Sequence, residues 1–317
     1  MTPLLTIAVC TYDRAALLPR ALDSLVKQTG SRHDLEIIVV DNGSTDETKA
    51  LVARRQGDDP SLRYVVEPIA GIAHARNRAM QEARGEYLAF LDDDAWANQD
   101  WIEHLLDVLN SVRPVPECVV GPVTLVWEGG RPEWFPERFE SLLCSYNMGE
   151  AAHFLGSDGY LLTTNSLFHR PTLLALGGMR TDLGHRRKSL LGGEDNDIFN
   201  RLLANGNRVY YEPKALVYHP VPTERQTRRF LLRRLFWDGA SQPLVETSAK
   251  QQSVSRPWSE VYRSGKRACR FLLETLGGVV SGNRVAAAGG VCQLVQRLGR
   301  LRTNVLMALG TMKDADV

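Results

Sequence analysis

Glu86-Tyr87-Leu88-Ala89-Phe90-Leu91-Asp92-Asp93-Asp94 joins an apolar segment directly to three carboxylates. The segment Glu86–Leu91 reads as a buried strand, because a short apolar run of this kind fits the core of a parallel sheet. A strand interior does not accommodate three adjacent charges, so the strand ends where the aspartates begin. Carboxylates concentrated at the end of a buried strand suit a hard divalent cation, Mg2+ or Mn2+, shared with substrate phosphates. An acidic turn capping the next helix accounts for the same residues, since Asp favours turns and N-caps. This stretch alone leaves both readings open.

Upstream, strand and helix patterns alternate: apolar Leu4–Cys10, a helix about Ala15–Gln28, apolar Leu35–Asp41, a helix about Asp46–Arg55, apolar Leu62–Val66 and a helix about Ile72–Arg84. Repeated βα units predict a parallel sheet with helices on both faces, and ligands of such sheets bind beyond the carboxyl ends of the strands. Three polar clusters fall at those ends: Thr11-Tyr12-Asp13-Arg14, Asp41-Asn42-Gly43-Ser44-Thr45-Asp46 and the Asp92–Asp94 run. Their coincidence on one edge strengthens each of them.

Downstream, Pro114, Pro116, Pro122, Pro132 and Pro136 break any long element, and with Trp101, Trp127 and Trp134 nearby the segment reads as strands, loops and a lid-like insertion. Order returns with an apolar segment near Leu161–Phe168, a helix Pro171–Leu176, a loop Gly177–Gly193, a helix Asp195–Asn205, and strands near Val209–Glu212 and Leu216–Tyr218. Beyond Pro222 the chain reads as helical and basic. The expected division is an α/β domain over residues 1–222 and a helical region over 223–317.

The chain has 317 residues, 44% hydrophobic and 24% charged, an ordinary globular composition with enough apolar residues for a sizeable core. Cys10, Cys118, Cys144, Cys269 and Cys292 form no CxxC pair and are odd in number, which speaks against a zinc site or a disulfide framework and for the reducing cytosol. Leu4–Val9 follows Met1 closely without a basic leader, so no signal peptide is expected, and no apolar run is long enough to span a bilayer. The net charge of +1 hides an asymmetry: residues 220–317 carry 16 Lys/Arg against 7 Asp/Glu, and residues 1–219 carry 22 against 30. A basic tail of this kind meets an anionic surface or neutralises the acidic body.

Further residues carry candidate chemistry. Gly192-Gly193-Glu194-Asp195-Asn196-Asp197 opens a helix, where the dipole keeps a carboxylate ionised. Such a carboxylate serves either as an N-cap or as a general base. His219, before Pro220, is expected at a strand's end, where an imidazole can complete a carboxylate and phosphate sphere around Mn2+. A structural histidine is the alternative. Gly71 starts a helix that places Arg76 and Asn77 in its early turns, suited to phosphate or ribose or else to a solvated face. The GxGxxG, GxxxxGK[ST] and Gly-x-Ser-x-Gly patterns are absent, which leaves dinucleotide, P-loop and hydrolase functions without support.

Taken together, over roughly residues 4–240, these segments resemble the family 2 inverting glycosyltransferases of the GT-A fold. Ala8-Val9-Cys10-Thr11-Tyr12-Asp13-Arg14 is similar to that family's first strand and turn, with Cys10 where many members have proline. Glu36–Asp46 is similar to its second strand, and Asp92-Asp93-Asp94 and Glu194-Asp195 match its DxD and ED motifs. The fold implied is α/β, a Rossmann-like mixed sheet flanked by helices, with a basic helical C-terminal extension. By resemblance, Thr11, Tyr12, Arg14, Asp41, Ser44, Gly71, Arg76, Asn77, Asp92 and Asp93 bind the donor. Asp41 would face uracil and Asp92 the ribose, while Asp93 has no separate role. Asp94 and His219 would hold Mn2+ or Mg2+, and Asp195 would be the base. Glu194 and Asn165 would meet the acceptor, although a turn or strand-pairing role explains Asn165 equally well.

The activity implied is transfer of a sugar from a nucleotide-diphosphate donor, a UDP-sugar foremost, to a hydroxyl of a glycan or lipid-linked acceptor, as in bacterial polysaccharide synthesis. The alternative is a non-catalytic nucleotide-sugar-binding protein or scaffold. The loop Gly184-His185-Arg186-Arg187-Lys188 suits a diphosphate or an anionic sugar such as a uronic acid, and Arg225, Arg228 and Arg229 are further phosphate candidates. Apolar groups interspersed with Lys266, Arg267, Arg270, Arg297, Arg300 and Arg302 read as basic amphipathic helices. They suit the cytoplasmic face of the inner membrane, packing on the catalytic domain, or a homodimer. Nucleic acid is not an expected partner, because the basic residues lack interleaved aromatics.

Overall fold

The computed structural model describes residues 3–29, 34–58, 61–186, 189–249, 257–281 and 284–309. It divides into two compact units, one formed by Met1–Met179 and Ile198–Pro222, the other by Arg180–Asp197 and Thr223–Val317.

The first unit is built on β1 (Leu5–Thr11), β2 (Leu35–Asp41), β3 (Leu62–Val66) and β4 (Tyr87–Asp92), with α1 (Leu18–Thr29), α2 (Thr48–Asp58) and α3 (Ile72–Glu82) between them. The strands lie in the order β3-β2-β1-β4, all parallel. Every residue of β1 and β2 is buried, as expected of strands covered on both faces. Alternate residues feed opposite layers. Leu5, Ile7 and Val9 join Leu18, Leu22 and Leu25 of α1, while Ala8, Cys10, Ile38 and Val40 join Ala75, Ala79 and Met80 of α3. The first helix starts at Leu18 and not at Ala15, because residues 15–17 form a turn closed by Leu17 and Leu18 N–H on Arg14 C=O.

The later segments turn this sheet into a mixed one. They comprise β5 (Trp96–Ala97), α4 (Trp101–Ser111), β6 (Cys118–Val120), β7 (Val123–Trp127), β8 (His153–Phe154), β9 (Asn165–His169), α5 (Arg170–Ala175), α6 (Glu194–Ala204), β10 (Val209–Tyr211) and β11 (Val217–Val221). Strand β9 runs antiparallel between β4 and β6, extending the sheet to β3-β2-β1-β4-β9-β6-β10-β8. The proline-rich stretch supplies β6, β7, β8 and a 3-10 helix at Glu137–Leu143.

A second sheet, β5-β11-β7, corrects one expectation. His219 lies in the middle of β11 and not at its end. Strand β5 pairs only Val217 and Tyr218, so from His219 onward β11 is paired with β7 alone. Pro220, which lacks an N–H, is therefore tolerated within the strand.

The second unit contains α7 (Arg228–Ala249), α8 (Pro257–Val280) and α9 (Arg284–Leu309). Glycines set its close helix contacts: a Cβ on Gly239 would lie 1.8 Å from Gln296 C=O, and one on Gly299 1.9 Å from Phe236 C=O. Polar links cross the same interfaces, with Thr303 Oγ1 donating to Ala240 C=O at 2.9 Å and Asn304 Nδ2 to Ser264 Oγ at 2.8 Å. Among the described residues, no helix is long and apolar enough to cross a membrane.

Candidate active site

Strand β4 carries Asp92 at its carboxyl end, and Asp93 and Asp94 follow in the turn, both buried. Strand β11 brings His219 to the same place, its Nε2 3.3 Å from Asp94 Oδ1. Asp92, Asp94 and His219 each present one ligand atom within 4.8 Å of the others. Two carboxylates and an imidazole suit Mn2+ or Mg2+, and neighbouring ligands of one ion with bonds of about 2.1 Å stand about 3 Å apart. His219 Nδ1 is also buried without a hydrogen-bond partner. Both the donor set and its spacing fit a divalent ion.

Two guanidiniums face the three carboxylates. Arg14 NH1 donates to Asp93 Oδ1 at 2.8 Å and to Asp94 Oδ2 at 3.2 Å, and Arg76 NH2 reaches Asp92 Oδ1 at 3.5 Å. Burial pushes the Asp93 carboxyl up, Arg14 pulls it down, and Asp94 raises it again by like-charge repulsion. Burial opposes charge on Arg14 too, but Asp93 and Asp94 outweigh it and keep the guanidinium protonated.

The polar ends of β1 and β2 are tied into one edge. Asp13, in a left-handed conformation at φ 50°, accepts Thr45 N–H at 2.6 Å, and its own N–H donates to Ser44 Oγ at 2.9 Å. Ala15 N–H donates to Asp46 Oδ2 at 2.9 Å. Asp41 is buried and accepts Ser44 N–H and the Tyr64 hydroxyl. Asn42 holds the next loop: its Nδ2 donates to Glu67 and Ile69 C=O, and its Oδ1 accepts Gly71 N–H at 2.7 Å. Gly71, at φ 140°, N-caps α3 and leads to buried Arg76. Thr11 is buried and Tyr12 is exposed. Asp13, Asn42 and Asp46 were not among the expected site residues, although Asp and Asn in a turn after a strand are a readable signal for such side-chain links.

Two residues expected at ligands carry structural hydrogen bonds. Asn165, expected at the acceptor, is buried in β9, where its Nδ2 donates to Pro122 C=O at 2.8 Å and Ala215 C=O at 2.7 Å, and its Oδ1 accepts Trp101 Nε1–H at 2.8 Å. Both amide hydrogens are committed to the backbone, and a Cβ on Gly121 would lie 2.7 Å from its nitrogen, so Asn165 is a structural clamp. Asn77, expected at the donor, exchanges two 2.8 Å hydrogen bonds with the Met179 backbone and fixes the chain after α5.

In the second unit, Glu194, Asp195 and Asp197 crowd the first turn of α6. Glu194 and Asp197 are buried and Asp195 is half-buried. Gly193, at φ 101°, precedes them. A Cβ there would lie 2.6 Å from Val245 Cγ2, so both the backbone angle and the space require glycine. Gly192 N–H donates to Ser241 Oγ at 3.0 Å, and Arg180 NH1 reaches Asp197 Oδ1 at 3.5 Å. Arg180 and Ser241 were not foreseen, since nothing local in the sequence marks them. Of the basic loop, His185 Nε2 meets Arg234 NH1 at 2.7 Å and Arg186 donates to Thr181 C=O, while Arg187 and Lys188 lie outside the described residues. Arg225 ends a 3-10 turn, and Arg228 and Arg229 are exposed at the start of α7.

The family model "Glycosyl transferase family 2" matches residues 6–170, from β1 to the start of α5. The chain belongs to that family. This glycosyltransferase is 32% identical over 256 residues to the succinoglycan biosynthesis protein ExoM of Rhizobium meliloti (strain 1021), covering 80% of this chain and 78% of the relative. It is 28% identical to the glucosyl-dolichyl phosphate glucuronosyltransferase of Haloferax volcanii, covering 78% and 79%. Among solved structures, the mannosyltransferase PcManGT of Pyrobaculum calidifontis, in complex with GDP-Man and Mn2+, superposes with a TM-score of 0.61 at 21% identity, over 96% of this chain and 87% of that one. Residues 1–349 of S. aureus TarS, in complex with UDP, give 0.55 at 15% identity, over 94% and 91%. At these identities the likeness is one of fold, and the glycosyltransferase has the GT-A fold with a helical C-terminal region.

Proposed function

We propose that this glycosyltransferase transfers a sugar from a nucleoside-diphosphate donor, UDP foremost, to a hydroxyl of a glycan or lipid-linked acceptor with inversion at the anomeric carbon. The observation that carries this reading is the convergence of Asp92, Asp94 and His219 at the carboxyl edge where β1 and β2 also end, the ligand edge of an α/β sheet.

In this reading Asp94 and His219 hold Mn2+ or Mg2+, and Asp92 faces the ion and the ribose. When bound, the ion offsets the charge that develops on the departing diphosphate. Asp41 orients toward the base, Ser44, Thr11 and Tyr12 shape its surroundings, and Arg76 and Gly71 approach the phosphates. Arg14 keeps Asp93 and Asp94 oriented. Asp195 takes the proton from the acceptor hydroxyl. Its position in the first turn of α6 supports this role, since a helix N-terminus favours the ionised carboxylate that a base requires. Glu194 orients the acceptor. Catalysis belongs to residues 1–222 of this scheme, and residues 223–317 serve docking.

A uronic acid is a candidate sugar, supported by the glucuronosyltransferase relative and by the basic loop around Arg186. Polysaccharide assembly is supported by the similarity to the succinoglycan biosynthesis protein ExoM. The test is a panel of nucleotide sugars assayed for Mn2+-dependent binding and turnover. A UDP-sugar bound and turned over only with the ion is expected; binding indifferent to the ion rejects the metal role. Asp195→Asn should retain donor binding and lose transfer, and retained transfer rejects Asp195 as the base.

A further inference from the structure

Helix α8 is turned inside out. Its buried positions are small or polar, Ser264, Ala268 and Thr275, and they meet α9 closely: Ser264 accepts from Asn304, and a Cβ on Gly290 would lie 2.3 Å from Thr275 Oγ1. Its large apolar side chains point the other way. Trp258, Tyr262, Leu272, Leu273, Leu276 and Val279 are 58, 70, 45, 68, 51 and 63% exposed. At 100° per residue they form one stripe along the helix. Isolated exposed leucines are common, but two apolar groups aligned on one helix face, with only Gly265 and Cys269 on that face between them, mark an interaction surface.

The chemistry around the stripe selects its partner. Arg263, Lys266 and Arg270 flank one side of it and are exposed; Arg263 pairs with Glu260 and Arg270 with Glu274, which leaves α8 an excess of basic over acidic residues, four against two, within a region that carries 16 Lys/Arg against 7 Asp/Glu. Two copies packed stripe to stripe would bring these cations together. An anionic lipid surface would neutralise them while burying the apolar side chains. Trp258 and Tyr262 occupy the amino-terminal end of the stripe, and aromatic rings with a polar edge favour the headgroup level. No described helix is able to cross a membrane, so the geometry is that of a helix lying in the interface.

We propose that α8 inserts its outward stripe into the interface of an anionic bilayer and so attaches the protein peripherally. This surface is independent of the transfer chemistry, and its test requires no turnover. Full-length protein is floated with vesicles containing about 30 mol% phosphatidylglycerol in phosphatidylcholine, and with phosphatidylcholine alone. Binding is expected to the anionic vesicles, with a blue shift of tryptophan emission that is reduced in Trp258→Phe. Lys266→Glu with Arg270→Glu is expected to weaken binding by roughly 30-fold or more, from about fivefold per lost basic residue plus the added repulsion. Leu273→Asp with Leu276→Asp is expected to abolish it. These positions are exposed, so far-UV circular dichroism should match wild type, and sedimentation velocity without lipid should show the same mass for all variants. Absence of wild-type binding, or undiminished binding by the Leu273→Asp, Leu276→Asp protein, overturns the proposal. So does a dimer that dissolves in that variant while vesicle binding is missing, which would assign the stripe to a second copy.

Discussion

The two ends of the central sheet both hold buried carboxylates, under opposite conditions. At the amino end of β2, Glu36 accepts Thr6 Oγ1–H at 2.7 Å and Arg84 N–H at 2.7 Å on one oxygen, and Arg63 NH1 at 3.2 Å on the other. At the carboxyl edge, Asp92, Asp93 and Asp94 crowd together against Arg14 and Arg76, and His219 Nδ1 lacks a hydrogen-bond partner. A carboxylate that stabilises the fold is satisfied by nearby donors, as buried charge requires. The aspartate cluster leaves like-charge repulsion in place, and a divalent ion would relieve it.

Asp94 is where the two ends should differ most. Asp94→Ala should reduce kcat by about 10³-fold or more while the melting temperature stays near wild type, measured by initial rates and calorimetry. A large loss of stability with modest loss of rate would make Asp94 another Glu36. Conversely, Glu36→Ala should cost about 3 kcal/mol in urea unfolding, the scale of a broken buried pair, and leave nucleotide affinity unchanged. A selective loss of nucleotide binding would erase the contrast between the two ends.

Arg14 is the internal counter-ion of the carboxyl edge in this reading. Arg14→Met removes a cation that competes for Asp93 and Asp94, so Mn2+ affinity without nucleotide should rise about tenfold, a Coulomb effect of roughly 1.4 kcal/mol. The free-ion signal in electron paramagnetic resonance reads this directly, and unchanged affinity would remove Arg14 from the role of internal counter-ion.

The smallest effect concerns Cys10, which stands one residue before the polar end of β1. Burial pushes its thiol up to about 12, with Arg76 the main opposing influence. At pH 8 the native protein should be alkylated by iodoacetamide at exposed Cys269 and spared at Cys10, as read by peptide mass mapping. The raised value favours the folded state below pH 9, and that contribution fades as pH rises from 9 toward 12. Rapid native labelling of Cys10 would contradict its burial.

Much of the first unit was legible because its signals are local. Uninterrupted apolar runs ending in Thr11, Asp41 and Asp92 report both strand and edge, and βα alternation reports the parallel order. The rest depends on pairings between distant segments. Strand β11 is placed by β7 and the two residues of β5, so Pro220 read as a strand end although His219 lies mid-strand. Asn165 and Asn77 carry polar amides suited to a ligand, and only the approach of Pro122, Ala215, Trp101 and Met179 reveals their structural use. Segment 180–197 belongs with the helical unit, through contacts such as Ser241 with Gly192 that no spacing announces.

Isothermal titration of UDP into wild-type and Asp94→Ala protein, each with Mn2+ and with chelator, reads whether Asp94 couples the ion to the nucleotide. Mn2+ should tighten binding at least tenfold in wild type, about 1.4 kcal/mol, and have no effect in the variant. Equal affinity with and without the ion in wild type, or an ion effect that survives Asp94→Ala, would contradict that coupling.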